Sequence, residues 1–189
     1  MFSTPGAPFS TWPWLEPMKS YAQALLPDDR YRIIMVDDPD SGLRPITFED
    51  HYEMVARLGL PTAVPEVIDR LYGRALHALL YGWFDYELMV VACGQALATL
   101  EFSLKTRLGA PAAKMTGLKP RLDHAVKLGL LSAPTPSAWG DDHALLASIR
   151  NEIAHGSDHV YPPNMAEVIF DRCRSLIVEL YPTTAEQDA

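Results

Sequence analysis

Several features that define other protein classes are scarce in this 189-residue chain. It has two cysteines, Cys93 and Cys173, and both fall within apolar helical patterns. We therefore expect buried, reduced side chains in place of a disulfide framework. No basic segment with a following apolar core and cleavage site opens the sequence, so no secretory signal is predicted. Together these absences predict a cytoplasmic protein.

Membrane-spanning and metal-binding patterns are also missing from the sequence. The longest apolar-rich stretch, residues 86–100, is interrupted by polar residues, and it is shorter than the ~20 residues that cross a bilayer. His155 and His159 straddle Gly156, so they would not share a helical face as zinc ligands. We predict no transmembrane helix, no membrane partner, no metal site and no cofactor.

Basic charge is in short supply overall, since the net charge is −8, which argues against a general nucleic-acid coat. Residues 101–130 differ, with six basic residues against two acidic ones, a local charge of +4. A solvated surface and a polyanion-contacting face both explain this run, and both remain open. In the second case the RNA-binding residues are Lys105, Arg107, Lys114, Lys119 and Arg121.

The composition that is present, 48% hydrophobic and 21% charged, is typical of a globular protein. Residues 1–60 are predicted to form an N-terminal extension that is partly irregular, because proline and aromatic residues are frequent up to about Pro27. A short β-hairpin is predicted within it, with residues 32–36 pairing with residues 43–48.

Helical periodicity predicts helices over residues 48–58, 65–81, 85–108, 119–128 and 141–155, with a last helix from residue 164. The clearest is 85–108, whose core stripe at steps of three and four comprises Val90, Cys93, Leu97, Leu100, Leu104 and Leu108. Asn164 and Glu167 predict a capping box in the last helix. We expect an all-α fold, an antiparallel four- to five-helix bundle over residues 61–182, and a flexible tail over 183–189.

The helix that ends at His155 has two distinct faces. Its core face comprises Leu146, Ile149 and Ile153, and its second face comprises His143, Ala147, Arg150 and Ala154. The two alanines leave room for a second helix to approach closely. We therefore expect a two-fold homodimer with this helix at or near the interface.

Three polar residues near the end of this helix can carry chemistry. Arg150 is always charged and can hold a phosphate through two donors at once. His155 can exchange a proton near neutral pH. Asn151 lies one turn before His155 and can orient its ring. We take these three as the candidate catalytic residues.

The segment Arg150-Asn151-Glu152-Ile153-Ala154-His155-Gly156 resembles the Arg-x4-His motif of the HEPN (higher eukaryotes and prokaryotes nucleotide-binding) superfamily. Residues 96–108 are similar to the long helix that precedes the motif in such proteins, and residues 118–131 resemble the intervening helix. The resemblance covers roughly residues 70–181 and none of residues 1–60.

The resemblance implies a helical bundle that pairs across the motif helix, which places two arginines and two histidines around one cleft. It implies a metal-independent endoribonuclease acting in stress or anti-phage defence, with RNA as substrate and an antitoxin or another protein among the expected partners. The RNA 2′-hydroxyl is an internal nucleophile. His155 would relay its proton, and Arg150 would stabilise charge on the phosphoryl oxygens.

The same residues also admit structural interpretations. His155 can lie at a helix C-terminus because a cation is favoured there, and Arg150 can pair with an acidic neighbour such as Glu101. In that case the chain is a non-catalytic binding or scaffold module that dimerises and holds a protein or nucleotide partner. The exposure and the partners of Arg150 and His155 distinguish the two hypotheses.

Overall fold

A computed structural model describes residues 19–40, 42–137 and 140–182. These residues form a mostly helical structure with two small antiparallel strand pairs. The helices are α1 (Phe48–Arg57), α2 (Glu66–Tyr81), α3 (Leu88–Leu108), α4 (Leu118–Lys127), α5 (Asp142–Ala154) and α6 (Pro163–Leu180). The expected all-α fold is confirmed, with five helices inside the predicted bundle range.

The predicted β-hairpin is also confirmed. Strand β1 (Met35–Asp38) pairs antiparallel with β2 (Gly42–Pro45), with Met35 opposite Pro45. The first strand begins later than predicted because residues 29–33 form a 3-10 helix, which Asp28 caps by accepting a hydrogen bond from the backbone of Arg30. A second short pair, β3 (Pro136–Ser137) with β4 (Gly140–Asp141), was not predicted.

Helix α3 lies at the centre of the bundle and contacts α2, α4, α5 and α6. Its predicted stripe is buried at five positions and half-buried at Val90. Met89, Ala92 and Ala96 are also completely buried, because a helix with neighbours on several sides buries more than one stripe. The core therefore surrounds most of α3 and leaves one narrow side exposed.

By length and composition, α3 is long and apolar enough to cross a membrane. Of its most apolar window, 56% is buried inside the protein. A buried core helix passes the same test, so the expected absence of a transmembrane helix stays a prediction.

The two cysteines are free and buried, as predicted. Cys93 lies in α3 and Cys173 lies in α6, and neither side chain reaches solvent. Burial raises the pKa of the Cys93 thiol to about 12. Both side chains therefore act as small apolar core residues.

The described part of the N-terminal extension packs against the bundle. Tyr31 lies in the core, with its ring centroid 4.4 Å from that of Trp83 and 5.6 Å from that of His51. The residues of α1 continue the same core through Met54 and Val55. The rest of the predicted arm, residues 1–18, and the predicted tail, residues 183–189, lie outside the described residues.

The start of α6 differs from the prediction. The helix begins at Pro163, with Pro162 at the capping position and no side-chain capping bond, so the predicted box of Asn164 and Glu167 is wrong. Two consecutive prolines fix the backbone there without a polar cap. Glu167 instead lies 3.5 Å from a guanidinium nitrogen of Arg57 in α1.

Candidate functional site

Helix α5 carries the three candidate catalytic residues, and both of its ends are defined. Asp141 precedes it and accepts a hydrogen bond from a first-turn backbone N–H at 2.6 Å. Gly156 follows His155 with a φ of 80°, a conformation that favours glycine. In the last turn Ile153 packs against α3, where a Cβ added at Gly94 would lie 3.0 Å from it. The missing side chain at position 94 therefore lets α5 lie close to α3.

Glu101 of α3 lies where α3, α4 and α5 meet, and its carboxylate binds three cations. Arg150 of α5 donates from Nε to Oε2 at 2.9 Å, and its Nη2 lies 2.8 Å from the same oxygen. Arg121 of α4 donates from Nη1 to Oε1 at 2.9 Å. The Nζ of Lys105 lies 3.2 Å from Oε1. The pairing of Arg150 with Glu101, which the sequence left open, is therefore present.

These four residues, hereafter the Glu101 cluster, carry a surplus of positive charge. One carboxylate faces three cations, which leaves a net charge of +2. Burial alone would raise the pKa of Glu101, but hydrogen bonds and positive charge from Lys105 and Arg150 lower it below its ordinary value. Glu101 is therefore ionised at neutral pH, and two positive charges remain uncompensated at the junction.

Arg121 does not fit the predicted RNA-binding surface. Arg121 is 5% exposed. Its guanidinium donates to the backbone oxygens of Met115 and Gly117 as well as to Glu101. A guanidinium with these partners is bound by the fold and cannot contact a ligand. The charge of Arg121 still contributes to the surplus of the Glu101 cluster.

The other predicted RNA-binding residues lie at or near the surface. The side chain of Lys105 is 49% exposed, although its Nζ contacts Glu101. Arg107 and Lys114 are exposed. The Nζ of Lys119 lies 2.6 Å from Asp123, which compensates its charge. Arg150 and Lys105 therefore form a positive face beside Glu101, whereas Arg107 points about 160° away from Lys105 around α3.

Arg150, Asn151 and His155 follow one another around the end of α5. The side chain of Arg150 is 30% exposed, and its Nη1 donates to Oδ1 of Asn151 at 3.4 Å. Asn151 and His155 are both exposed. Because successive residues turn by about 100° along a helix, Arg150 and His155 point roughly 140° apart, with Asn151 between them. One copy of the chain therefore does not direct both groups at one point.

The face of α5 that was expected to meet a second helix is only partly exposed. His143 and Ala147 are buried within the chain at 0% and 7% exposure, so the expectation is wrong for the first half of α5. Burial lowers the pKa of His143 and favours its neutral ring. The exposed residues of α5 are Ser148, Asn151, Ala154 and, at its cap, His155. The exposed residues of α5 therefore lie in its second half, and the expected homodimer stays a prediction.

The loop after α5 brings polar groups together without forming a metal site. Glu152 contacts the Nδ1 of His159 and accepts a hydrogen bond from Ser157 at 3.5 Å. In the ranges that the structure describes, no group of three or more histidine, cysteine or acidic side chains could hold a metal ion. The expectation of no metal and no cofactor stays a prediction.

Phe102 is a surface residue near the site that the sequence did not single out. Phe102 is 39% exposed. It follows Glu101 directly and lies one turn before Lys105 and Thr106. The sequence contained one indication of this exposure, because Phe102 lies outside the predicted core stripe of α3. Single exposed apolar residues are common at protein surfaces, so Phe102 is informative only because Lys105 and Arg150 lie near it.

Comparison of the chain with protein-family models, with curated proteins and with solved structures gives no match. The resemblance of residues 150–156 to the HEPN motif therefore stays a hypothesis. The contacts, exposure and charge of the Glu101 cluster and of the end of α5 are the features of the molecule that bear on its function.

Proposed function

We propose that this protein is a metal-independent endoribonuclease in which Arg150, Asn151 and His155 of two paired copies cleave RNA. The observation that carries the proposal is the surplus of two positive charges in the Glu101 cluster. One of its cations, Arg150, lies on the helix that ends at the exposed His155. In a chain of net charge −8, such a local concentration of positive charge is suited to attract an anion.

The contacts of Arg150 leave part of its guanidinium for a ligand. Its Nε and Nη2 are oriented by Glu101 at 2.9 and 2.8 Å. Its Nη1 has only a long contact with Asn151, at 3.4 Å. The Nη1 side is therefore the edge that would bind a phosphate oxygen, and Glu101 acts as the residue that positions it.

In the proposed reaction the RNA 2′-hydroxyl oxygen attacks the adjacent phosphorus, and its proton passes to His155. The bond from phosphorus to the 5′ oxygen breaks, and that oxygen takes a proton from His155 of the partner subunit. The products are a 2′,3′-cyclic phosphate and a 5′-hydroxyl. Arg150 stabilises the charge on the phosphoryl oxygens. Two copies are required because Arg150 and His155 of one copy point apart.

A second candidate function is a non-catalytic binding module, and the ion pair between Arg150 and Glu101 favours it. Part of the charge that the chemistry would use is compensated by this pair. In that case the positive face at the end of α5 holds a partner without cleaving it. The same surplus of charge would then favour an acidic or phosphorylated partner.

Incubation of the purified protein with mixed RNAs in EDTA, beside His155→Ala, tests the proposal. His155 is the sharper substitution because it is exposed and its side chain has no hydrogen bond or ion pair within the described residues. We expect cleavage by wild type, cyclic phosphate ends, no cleavage of DNA and no activity in the variant.

Cleavage that persists in His155→Ala, that stops on chelation, or that extends to DNA contradicts this mechanism. Absence of any cleavage contradicts the ribonuclease proposal, and RNA binding without cleavage supports the second candidate.

A further inference from the structure

Helix α3 leaves one exposed strip, which lies between α2 and α5. Its exposed apolar residues Val91, Ala98 and Phe102 follow at steps of seven and four, so they share one side of the helix. On one flank Gln95 donates to a backbone oxygen of α2 at 3.5 Å. On the other flank Gly94 lies against a side chain of α5. The strip is therefore open to solvent and bordered by two helices.

The strip becomes charged at its C-terminal end, where Phe102 lies. Glu101, the residue before Phe102, binds Arg150 of α5, and Lys105 follows Phe102 by three residues. Glu101 and Lys105, which belong to the positively charged cluster, therefore lie within about one helical turn of Phe102 along α3. Val91, near the opposite end, is 57% exposed and has no comparable cations beside it in α3.

We propose that Phe102 stacks a base of single-stranded RNA while Arg150 and Lys105 contact the neighbouring phosphates. An exposed aromatic beside cations suits this ligand because every base has a π-face and every nucleotide carries a phosphate. Charge complementarity selects a polyanion over an apolar protein surface, which would leave the cations desolvated and uncompensated. The inference rests on the proposed function but concerns binding and not the cleavage step.

Stacking on Phe102 requires a base that is not paired within a duplex, because bases in a duplex stack on one another. Phe102 should therefore select single-stranded over double-stranded RNA. Phosphate contacts make binding depend on salt, whereas a stacking contact releases no counterion. Phe102 and the cations should thus be separable by salt dependence.

The test measures binding of fluorescein-labelled single-stranded oligouridine by anisotropy, in the His155→Ala background so that the probe is not cleaved. We expect Phe102→Ala to weaken binding about tenfold with an unchanged salt slope, and Phe102→Trp to keep the affinity. The matched control is Tyr52→Ala, since Tyr52 of α1 is another exposed aromatic, at 55%. It should bind like its parent. A duplex probe should be insensitive to Phe102→Ala.

Unchanged affinity of Phe102→Ala for the single strand overturns the inference. An equal loss on duplex and single strand, or a changed salt slope, also overturns stacking. Sedimentation at matched concentration is the second measurement, and a dimer that dissociates in Phe102→Ala would make Phe102 a contact between copies instead. If wild type cleaves RNA while Phe102→Ala binds normally, the proposed function stands and this inference fails. If wild type cleaves no RNA and the His155→Ala protein binds none, both fail.

Discussion

Two buried carboxylates join distant segments of this protein, and they differ in how their charge is balanced. Asp28 and Glu101 are each 6% exposed. Asp28 accepts hydrogen bonds from the backbone N–H groups of Arg30 and Tyr86, both at 3.1 Å, and from Nε of Arg30 at 2.9 Å. It thereby fastens the N-terminal segment to the residues before α3.

The charges around Asp28 are balanced. Arg30 also contacts Glu87 at 2.6 Å and lies over the ring of Tyr86, 4.4 Å from its centroid. Lys19 lies 4.0 Å from Asp28, so two cations face two carboxylates. The Glu101 cluster has three cations around one carboxylate, and Glu101 is buried to the same degree as Asp28. The balanced charges around Asp28 are sufficient to hold two segments together. The surplus of positive charge in the Glu101 cluster is suited to bind a ligand.

The largest expected effect is on activity and separates the end of α5 from the residues around Asp28. His155→Ala should lower RNA cleavage by at least about 100-fold, because proton transfer by a positioned histidine contributes ~10²–10⁴-fold. Its thermal midpoint should stay that of wild type, since His155 is exposed. Asp28→Asn should have the opposite profile, with normal cleavage and reduced stability. Cleavage rates and thermal melts of both variants check this.

The control for His155→Ala is His77→Ala, which removes an exposed imidazole from α2. It should cleave RNA at the wild-type rate. Equal losses in the two histidine variants would remove the special role of the end of α5.

The second effect is on stability. Glu101→Gln should lower the free energy of unfolding by about 3–5 kcal/mol, because it removes the carboxylate partner of the buried Arg121 and brings three cations together without compensation. Chemical denaturation beside Glu66→Gln, an exposed residue of α2, checks this. A loss no larger than that of the control would mean that Glu101 does not hold α3, α4 and α5 together.

The helices were predictable because apolar residues recur with the helical period, and the prediction was strongest where one element makes many contacts. The stripe of α3 identified its buried side. The strand pair of residues 35–45 followed from two short apolar runs around an acidic turn. Arg150, Asn151 and His155 were selected as candidates from local spacing, since all three lie within six residues of one another, and their catalytic role stays a prediction.

What the sequence left open depends on contacts between distant residues. Arg121 was expected at the surface, but its burial depends on Glu101, which is 20 residues earlier in the chain. The docking of Tyr31 on Trp83 joins residues that are still further apart in the chain and leaves no local pattern. Asparagine is a residue type that often caps helices, but the two prolines before Asn164 determine where α6 begins. Local spacing therefore predicted the elements, but it could not decide between the possible partners of the charged groups, such as Glu101 for Arg150.

A third, smaller effect concerns the pH dependence of stability that Asp28 produces. Burial would raise the pKa of Asp28, but hydrogen bonds from Arg30 and Tyr86 outweigh this and lower the pKa from 3.8 to about 2. A carboxyl whose pKa is lower in the folded state stabilises the fold above its unfolded pKa, and this contribution is lost as the pH falls from about 4 to 2. It amounts to about 2 kcal/mol. Asp28→Asn should therefore flatten the acid limb of the stability profile.

Denaturation midpoints at a series of pH values measure this effect. The control is Asp29→Asn, which removes the same charge from the next residue, whose side chain is 80% exposed. It should change stability much less than Asp28→Asn. An Asp28→Asn profile that keeps the wild-type slope between pH 4 and pH 2 would contradict the role assigned to Asp28.

Among the ion-paired residues, the smallest effect on stability is expected from Arg150→Ala, and it decides whether the Glu101 cluster differs in kind from the residues around Asp28. Lys105 and Arg121 still bind Glu101 after the change, and the Arg150 side chain is 30% exposed. The pair is therefore screened by solvent, and its loss should cost about 1 kcal/mol or less. Arg121→Ala is the matched change, and it should destabilise more because its guanidinium is buried. Thermal melts at one protein concentration measure both. If Arg150→Ala loses as much as Glu101→Gln, Arg150 fastens helices as Arg30 does, and its catalytic assignment is wrong.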